Sequence, residues 1–478
     1  MVSSSAAESG RTVDGFLIGR RIHVGGMATL WEVSRPDIAF PIVMKQPRLA
    51  EGEDAAAIVG FEMEQMILPR LSGPHVPAFV AAGDFAVEPY LVMERLPGPS
   101  LLARLPDLPL PAAEVAALGV AVALALDDLH RQHVVHLDVK PSNIMFRPSG
   151  EAVLIDYGLS HHDRLPDLMA EEFRLPYGTA PYIAPEQVLG QRGEPRSDLF
   201  ALGALMYFFA TGERPFGDPQ TLRGLKRRLW RDPVPPRRLR PDLPPWLQEA
   251  ILRCLEVDPA RRHPTAAQLA FELQHPDQIV LGPRAAREAR DPWLSVLRRR
   301  LDPPAIAPLG RRLTAPRLAA APIVAVAVDP TETAPPLAEA LRVTVGRVPA
   351  TLPGARLACL NVLKQHRVML DTTLDEAGRS KHVQRLVELK HWAAPLELAD
   401  GRITFHVLEA TDPAAAILDY VRANRVDHVV MGARANSTLR ALLGSVSGEV
   451  AAQAPCTVTV VRASRPAAAV ARVAPENS

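Results

Sequence analysis

The order of hydrophobic and polar positions divides this chain into two regions, and the first region changes from a β-type pattern to a helical pattern. Over residues 16–92, short apolar runs typical of β-strands are broken by glycine and proline, with one helical stretch over residues 61–71. Over residues 111–273, helical patterns dominate, with apolar residues three or four positions apart at Val115, Leu118, Val122, Leu126 and Leu129. The pattern predicts a small β-rich lobe followed by a larger helical lobe.

The second region begins at residue 323, where predicted strands alternate with predicted helices. The strands are Ile323–Val328, Arg356–Leu363, Ile403–Val407, His428–Met431 and Thr457–Val461, and the helices are Ala414–Asn424 and Leu439–Ala454. Because such alternation implies parallel βαβ units, we expect an open, doubly wound sheet.

A basic segment separates the two regions, with nine arginines among prolines from Arg284 to Arg317. A solvated linker is one interpretation, and a contact with an acidic partner or a membrane surface, anchored by Trp293 and Leu294, is the other. The predicted organisation is a loose tail (1–14), a first domain (15–275), a proline- and arginine-rich linker (276–320), a second domain (321–464) and a tail (465–478).

Composition narrows the classes of function. A chain of 478 residues with 47% hydrophobic residues supports more than one folded domain, and its net charge of +1 argues against nucleic-acid binding through bulk positive charge. Cys254, Cys359 and Cys456 form no CxxC pair, so neither a disulfide framework nor a zinc site is expected. Without an apolar signal core or an apolar run long enough to span a bilayer, we expect a cytoplasmic protein with no transmembrane segment.

The candidate chemistry centres on a polar segment after the first long helical pattern. It reads His136-Leu137-Asp138-Val139-Lys140-Pro141-Ser142-Asn143, and Ile155-Asp156-Tyr157-Gly158 follows. Phosphoryl transfer needs a carboxylate to orient the attacking hydroxyl, cations to neutralise phosphate charge, and oxygen ligands for those cations. Asp138 suits the first task and Lys140 the second. Asn143 and Asp156 supply the oxygen atoms that magnesium prefers.

This segment resembles the catalytic loop and the magnesium loop of bacterial eukaryotic-type serine/threonine protein kinases. Other kinase-like segments follow in family order: Ile42-Val43-Met44-Lys45, Phe61-Glu62-Met63-Glu64, Tyr90-Leu91-Val92-Met93-Glu94-Arg95-Leu96, Gly178-Thr179-Ala180-Pro181-Tyr182-Ile183-Ala184-Pro185-Glu186 and Ser197-Asp198-Leu199-Phe200-Ala201-Leu202-Gly203. The resemblance covers residues 15–275 and implies a bilobal α+β kinase fold. The Ser197–Gly203 segment would brace the catalytic loop.

The resemblance also assigns roles to residues. The catalytic residues would be Asp138, Lys140, Lys45 and Glu64, with Lys45 paired to Glu64; Arg262 would pair with Glu186. ATP and Mg²⁺, or Mn²⁺, would be the cofactors, with Asn143 and Asp156 as the metal ligands. The ATP-binding residues would be Ile22, Gly25, Gly26, Leu30, Val43, Lys45, Met93 (the gatekeeper), Glu94, Leu96 and Met145. Lys140, two residues after Asp138, indicates serine and threonine acceptors in protein substrates, and no nucleic-acid partner is expected.

Two departures from the kinase pattern affect the predicted function. The phosphate-covering loop reads His23-Val24-Gly25-Gly26-Met27-Ala28 and keeps only the middle glycine of GxGxxG. This irregular loop favours the alternative of a pseudokinase-type scaffold or nucleotide sensor, whereas the intact set of charged residues favours an enzyme. Leu137 replaces an arginine that normally receives a phosphate in the activation segment (residues 158–185), which predicts activity without phosphorylation of Ser160 or Tyr177.

Residues 322–462 resemble the universal stress protein family through Val326-Ala327-Val328-Asp329, Asp427-His428-Val429-Val430-Met431-Gly432-Ala433-Arg434, Leu443-Gly444-Ser445-Val446-Ser447 and Ala454-Pro455-Cys456-Thr457-Val458-Thr459-Val460-Val461. The resemblance implies an α/β doubly wound parallel sheet, a role in stress signalling and a homodimer paired through the last strand. Nucleotide-binding members use a glycine-rich turn, but here Ala435 replaces its second glycine and the next interval is one residue short. The alternatives are a second nucleotide site at Asp329, Gly432, Gly444 and Ser445, or a structural or dimerising domain.

Overall fold

The computed structural model of the chain describes residues 10–48, 55–173, 175–301, 321–352, 354–365, 380–399, 401–433 and 445–462. These residues form two compact units, one within residues 10–301 and one within residues 321–462. The first unit has a β-rich lobe and a helical lobe, and the second is a parallel sheet with helices. Both predicted fold classes are therefore confirmed.

The first lobe is an antiparallel sheet in the order β1-β2-β3-β4-β6-β5. Its strands are β1 (Thr12–Val13), β2 (Phe16–Val24), β3 (Ala28–Ser34), β4 (Ile42–Pro47), β5 (Phe79–Gly83) and β6 (Tyr90–Glu94). Helix α1 (Ala55–Ile67) packs beside β4, and a 3₁₀ turn (Leu68–Arg70) follows it. The helix starts six residues before the predicted position, because residues 56–60 are also buried. It gives way to the 3₁₀ turn at Pro69, which lacks an N–H group.

Strand β1 lies inside the stretch predicted to be a loose tail. Thr12 and Val13 pair with Leu17 and Phe16 across a turn at Asp14 and Gly15, whose φ angles are 45° and 83°. An Asp-Gly turn of this kind matches the twist of the two strands that it joins. The β-rich lobe therefore begins before residue 15, and residues 1–9 lie outside the described part of the chain.

The second lobe is helical, and small residues allow its helices to pack closely. The helices are α2 (Ala112–Arg131), α3 (Leu168–Glu172), α4 (Pro185–Val188), α5 (Arg196–Thr211), α6 (Leu222–Leu225), α7 (Pro236–Leu239), α8 (Pro245–Cys254), α9 (Ala266–Gln274) and α10 (Trp293–Leu301). A Cβ atom at Gly119 of α2 would lie 2.6 Å from the Met206 Sδ atom of α5 and 2.8 Å from the Leu273 Cδ1 atom of α9. Gly119 therefore permits the close contact of these three helices.

Short strands and turns of this lobe hold the loops between the helices. The strands are β7 (Val134–Val135), β8 (Ile144–Phe146), β9 (Ala152–Leu154) and β10 (His161–His162), and 3₁₀ turns cover Leu101–Asp107, Pro141–Asn143, Lys226–Leu229, Pro259–Arg261 and Pro276–Gln278. Strand β7 pairs with β10, and β8 pairs with β9, both in antiparallel orientation. Within the described residues, no helix is both long and apolar enough to cross a membrane.

The predicted linker 276–320 has defined contacts with the helical lobe in its first part. The Gln248 side-chain amide donates to the carbonyl groups of Arg284 (2.8 Å) and Arg287 (2.9 Å). Arg299 of α10 donates to Asp232 (3.0 Å) and Asp291 (2.5 Å). This part is therefore bound to the lobe rather than solvated along its whole length, and residues 302–320 lie outside the described chain.

The side chains proposed to anchor this segment on an acidic or membrane partner point to solvent. Trp293 is 71% exposed and Leu294 is 60% exposed. That alternative stays a prediction.

The second unit contains the sheet expected for a doubly wound fold. Its parallel strands run in the order β13-β12-β11-β14-β15: β11 (Ile323–Ala327), β12 (Arg356–Lys364), β13 (Ile403–Ala410), β14 (His428–Gly432) and β15 (Thr457–Val461). The helices are α11 (Pro335–Thr351), α12 (Lys381–Ala393), α13 (Pro413–Asn424) and α14 (Ser445–Gln453), with a 3₁₀ turn at Ala394–Leu396. Of the helix predicted over residues 439–454, residues 439–444 lie outside the described chain.

The strand order reverses at β11, which has β12 on one side and β14 on the other. Val324, Ala325 and Val326 of β11 are fully buried, in keeping with a central parallel strand covered on both faces. In open α/β sheets, ligands bind at the carboxyl ends of the strands where the order reverses. In this unit that position lies between the carboxyl ends of β11 and β14.

Candidate active site

A short hairpin places the two predicted metal ligands at one end of the helical lobe. Ile144 of β8 pairs with Leu154 of β9, and the Ile155 N–H donates to the carbonyl of Asn143 (3.0 Å). Asn143 and Asp156 therefore adjoin the same end of this hairpin, although the β8–β9 connection separates them in sequence.

The magnesium loop packs directly against α1. A Cβ atom at Gly158 would lie 3.0 Å from the carbonyl oxygen of Gly60, so the loop and the helix approach each other through two glycines. Asp156 has a φ of 70°, a left-handed conformation that is costly for a residue with a side chain. This conformation accompanies the ion pair that its carboxylate makes with Lys45.

Lys45 joins the β-rich lobe to the magnesium loop. Its Nζ atom lies 2.5 Å from the Glu64 carboxylate of α1 and 2.9 Å from the Asp156 carboxylate. Burial disfavours the ammonium charge, but Asp156 and Glu64 outweigh this effect and raise the pKa of Lys45 above its usual value. The ammonium group in turn lowers the pKa of Asp156 to about 2. The expected Lys45–Glu64 pair is present, and Asp156 completes a charged triad.

The Asp138 carboxylate is held by donors from three other residues. Lys140 Nζ donates to one oxygen (2.6 Å), and so does the amide of Asn143 (3.1 Å). The N–H and hydroxyl of Thr179 donate to the other oxygen at 3.1 and 2.8 Å. Asp138 is thus fixed in orientation by the catalytic loop and by the end of the activation segment.

Asp198 of α5 supports the catalytic loop by accepting hydrogen bonds from its backbone. Its fully buried carboxylate accepts the N–H groups of His136 (2.9 Å) and Leu137 (2.8 Å) and lies 2.9 Å from His130 Nε2. Leu137 has a φ of 64°, so its backbone adopts a strained conformation that the bond to Asp198 helps to maintain. The contact supports the bracing role that the family resemblance implies for this helix.

The end of the activation segment is fixed to the helical lobe by a buried ion pair. Arg262 donates to both carboxylate oxygens of Glu186, at 2.6 and 2.8 Å, and the Ser197 hydroxyl donates to the same carboxylate at 2.6 Å. Arg262 also lies over the Phe200 ring. The expected Arg262–Glu186 pair is therefore present and fully desolvated.

The residues predicted to bind adenine lie on the sheet of the first lobe and on the β8–β9 hairpin. Val43 of β4 pairs with Met93 of β6, both are buried, and the buried Leu96 follows shortly after the end of β6. Leu30 of β3 is opposite Lys45, Ile22 of β2 has a partly exposed side chain, and Met145 lies on β8. The Glu94 carboxylate binds Arg147 (2.5 and 2.9 Å), so Glu94 would contact adenine through its backbone.

The irregular phosphate-covering loop is held by a hydrogen bond within the loop and by another from a nearby arginine. The Gly25 N–H donates to the Ala28 carbonyl (2.9 Å), and Arg48 Nη1 donates to the Gly25 carbonyl (3.0 Å). A Cβ atom at Gly26 would contact no atom within 4 Å, so packing does not require glycine there. In this arrangement, the Gly25 N–H is engaged before any phosphate is present.

Asn143 and Asp156 suit a cation that is shared with phosphate oxygens. Within the described residues, no cluster of three or more His, Cys, Asp or Glu side chains could hold a metal by itself. Magnesium in nucleotide sites usually takes one or two carboxylates together with phosphates and water. The Asn143 amide oxygen and the second Asp156 oxygen retain lone pairs for this purpose, so the residues fit such a cation.

Sequence patterns gave no indication of a buried arginine behind the end of the activation segment. Arg228 is 1% exposed and donates to the carbonyl groups of Ala180 (2.7 Å) and Ile183, and its burial lowers its pKa to about 10. It stands among the consecutive basic residues Lys226-Arg227-Arg228, which resemble an ordinary surface patch in sequence. Only the carbonyl groups that surround it distinguish Arg228 from its neighbours.

Ser160 of the activation segment, one of the two residues whose phosphorylation is predicted to be unnecessary, is not an accessible hydroxyl. Ser160 is fully buried, and its hydroxyl donates to the His136 carbonyl (3.1 Å). A kinase could reach this hydroxyl only after the segment opens.

Two of the four residues of the suggested second nucleotide site lie at the carboxyl ends of adjacent strands in the sheet of the second unit. Asp329 follows β11, and Gly432 ends the adjacent strand β14. The Asp329 carboxylate accepts the N–H and hydroxyl of Thr331, so it stabilises its own turn. A Cβ atom at Gly432 would lie 2.9 Å from Leu337 Cδ2, so close packing also explains this glycine. Gly444 and the side chain of Ser445 lie outside the described part of the chain.

Comparison with known proteins finds two families that match separate parts of the chain. The protein kinase domain family matches residues 19–276, and the universal stress protein family matches residues 322–462. A probable serine/threonine-protein kinase of Corynebacterium efficiens is 29% identical over 306 residues, covering 61% of this chain and 46% of the relative. The serine/threonine-protein kinase PknB of Mycolicibacterium smegmatis is 27% identical over 283 residues, covering 58% and 45%. The serine/threonine-protein kinase pkn3 of Myxococcus xanthus is 32% identical over 270 residues, covering 53% and 48%.

The chain thus spans about half the length of these curated relatives. Protein kinases as a family use ATP and a divalent cation and act on proteins. The kinase match covers more than half of the 478 residues and contains the charged site described above. The chain therefore belongs to the protein kinase family, and it carries a universal stress protein domain after its kinase domain.

Proposed function

We propose that this protein is a serine/threonine protein kinase that transfers the γ-phosphate of ATP to hydroxyl groups of protein substrates. The observation that carries the proposal is the Asp138 carboxylate, held by Lys140, Asn143 and Thr179 while Lys45 is paired with Glu64. Loss of either feature would leave the attacking hydroxyl or the phosphates without a fixed partner.

Each charged residue has one task in this proposal. Asp138 orients the substrate hydroxyl and accepts its proton, and Lys140 neutralises charge on the transferring group. Lys45, held by Glu64, binds the α- and β-phosphates. Asn143 and Asp156 would hold Mg²⁺, with Mn²⁺ as an alternative ion, and the bound ion supplies neutralisation of phosphate charge.

The test is a transfer assay with the full chain and radiolabelled ATP. Phosphatase-treated protein is incubated with a generic protein substrate and Mg²⁺ or Mn²⁺, and the labelled amino acids are identified after hydrolysis. Phosphoserine or phosphothreonine is expected, and the Asp138→Asn protein prepared in parallel should give almost none. Equal labelling by both proteins would show that Asp138 is not needed for transfer and would contradict the proposal.

A nucleotide-sensing scaffold is the second candidate, and the phosphate loop is the observation that favours it. The Gly25 N–H already bonds to Ala28, and GxGxxG is incomplete. A scaffold of this kind would bind a fluorescent ATP analogue without turnover under any divalent ion. Turnover that depends on Asp138 would exclude it.

We also propose a role in stress signalling for the second unit, and a homodimer formed through β15. This strand lies at one edge of the sheet, and Thr457 at its start is exposed. Exposed edge strands bind further strands readily, and a lysine on such an edge opposes pairing. Light scattering should therefore give the mass of a dimer for the native chain and of a monomer for Thr457→Lys. A native monomer would contradict this part.

The nucleotide alternative for the second unit can be decided by stoichiometry. If Asp329 and Gly432 belong to an ATP site, the chain should bind two nucleotides, and Asp329→Ala should remove one. One nucleotide per chain would leave the structural or dimerising role. A cytoplasmic location is also proposed, in keeping with three free cysteines.

A further inference from the structure

The activation segment contains a largely buried carboxylate, Asp167, with an arginine and a histidine as partners. Asp167 accepts hydrogen bonds from Arg192 Nε on both oxygens (3.1 and 2.8 Å) and lies 2.9 Å from His161 Nδ1. The side chains of Asp167 and Arg192 are each only 13% exposed. Burial opposes the charge of Asp167, but Arg192 and His161 outweigh this effect and hold its pKa well below the usual range. Asp167 is therefore an ionised group inside the fold.

Arg192 also reaches the beginning of the activation segment. Its Nη2 atom donates to the carbonyl groups of Leu159 (2.9 Å) and Ser160 (3.2 Å), which directly follow the magnesium loop. Arg192 itself lies between α4 and α5. One guanidinium group therefore joins the start of the segment, its middle at Asp167, and the helical lobe.

The Asp167 carboxylate also caps the N-terminus of α3, which packs against the helix that carries Glu64. Asp167 accepts the Ala170 N–H (3.1 Å) and so caps the first turn of α3. Leu168 and Met169 are buried, and α3 packs against α1, the helix that carries Glu64. Release of Asp167 would loosen the support of α1 as well as the segment.

The chain does not provide the usual partner for a regulatory phosphate beside Asp138. Leu137 stands where regulated kinases have arginine, and its side chain is buried. Ser160 is buried as well, with its hydroxyl bonded to the His136 carbonyl. Order in this segment therefore needs another source of negative charge and hydrogen bonding.

We propose that Asp167 and Arg192 are positioning residues that hold the activation segment in its active arrangement without phosphorylation. The Asp167 carboxylate takes the part that a phosphate takes in regulated kinases, and Arg192 takes the part of the phosphate-binding arginine. This inference rests on the proposed kinase function.

The first test compares two aspartates of the same segment in phosphatase-treated full chains. Asp167→Asn should lower kcat for a protein substrate by about 10²-fold and change KM for ATP much less, because the segment aligns the substrate, while ATP is affected only through the contact of α3 with α1. Asp163→Asn is the matched control, since Asp163 is 51% exposed and lies beside His133, His162 and Arg164. The control should keep both constants, and the native chain should reach its full rate without a lag.

Charge-conserving variants separate positioning from general stability. Asp167→Glu should recover part of the lost kcat. Arg192→Lys keeps the charge but cannot reach Asp167 and the two carbonyls together, so its kcat should fall. The Asp167→Asn/Arg192→Lys double variant should have a kcat little lower than that of the single variants, because each single substitution already disrupts the same group of hydrogen bonds.

Hydrogen exchange gives a readout that does not need activity. Amides of residues 159–173 should exchange faster in Asp167→Asn than in the native chain and unchanged in Asp163→Asn, while those of α5 stay protected. If the native chain transfers no phosphate, the proposed function fails, and the exchange data still decide whether Asp167 orders the segment. If the native chain is active and Asp167→Asn or Arg192→Lys keeps its rate, the inference is overturned. If Asp167→Asn fails to fold, Arg192→Lys gives the decision.

Discussion

In the kinase unit, the candidate residues contact one another across long sequence separations, whereas in the stress-type unit Asp329 mainly stabilises its own turn. Lys45 bonds to Asp156 and Arg262 bonds to Glu186, each from a different element. Asp329 bonds to Thr331, two residues away, and its carboxylate also lies 3.6 Å from Arg385, which is not one of the candidate residues. Because buried charges require partners in the fold itself, the kinase site is defined without a ligand. A site formed by a glycine-rich turn depends on backbone groups, which side-chain contacts do not reveal.

The largest expected effect is that of Asp138→Asn on phosphoryl transfer. We expect a decrease in kcat of about 10²- to 10⁴-fold, since an amide cannot accept the proton of the substrate hydroxyl. Binding of a fluorescent ATP analogue should persist, because the adenine pocket and Lys45 are unchanged. Asp242→Asn, at an exposed carboxylate paired with Arg240, is the control and should keep the native rate. An undiminished rate in Asp138→Asn would show that Asp138 is not the base.

The next effect concerns stability and the buried pair of Arg262 and Glu186. Arg262→Met leaves a desolvated carboxylate without its partner, which should lower the free energy of unfolding of the kinase unit by about 3–5 kcal/mol. The neighbouring Arg261 is 65% exposed and pairs with Glu256 at 3.5 Å. Arg261→Met should therefore change stability by less than about 1 kcal/mol. Urea unfolding followed by circular dichroism measures both, and equal effects would contradict the assigned burial.

A smaller effect is expected in the coupling between Lys45 and Glu64. Lys45→Ala should abolish most activity, and Glu64→Gln should imitate it in part. The double variant should be less impaired than the sum of the two changes, by about 0.5–3 kcal/mol in activation free energy. Initial rates of the three variants give this coupling. Full additivity would mean that the ion pair in the structure has no part in catalysis.

The smallest effect tests whether Gly432 serves packing in the stress-type unit. Gly432→Ala should lower the stability of this unit by about 1 kcal/mol, because the new Cβ atom would lie 2.9 Å from the movable end of Leu337. A Cβ atom at Gly346 of α11 would have no neighbouring atom within 4 Å. Gly346→Ala should therefore raise stability by about 0.5–1 kcal/mol. Thermal unfolding of the full chain compares them. A gain in both variants would remove the packing explanation and favour a ligand role for Gly432.

The catalytic-loop and magnesium-loop part of the kinase site could be predicted because its residues are close in sequence. Asp138, Lys140 and Asn143 lie within six residues, and Asp156 follows after one hairpin, so spacing alone places them together. Strand β1 was missed although Asp14-Gly15 is a strong hairpin signal, since the first nine residues made the whole stretch resemble a tail. The first part of the arginine-rich segment resembled a linker, and its contacts with Gln248 and Asp232 were not predicted.

The sequence by itself determined the two fold classes, the order of the kinase segments and the charged residues of the site, because periodicity and short motifs depend on neighbouring residues. Only the tertiary structure decided which arginines are buried. Arg228 and Arg192 look like surface residues in sequence, yet one binds the Ala180 carbonyl and the other binds Asp167. The reason is physical: a guanidinium group can be desolvated only where carbonyls or carboxylates from distant segments converge on it, and that convergence is a property of the fold.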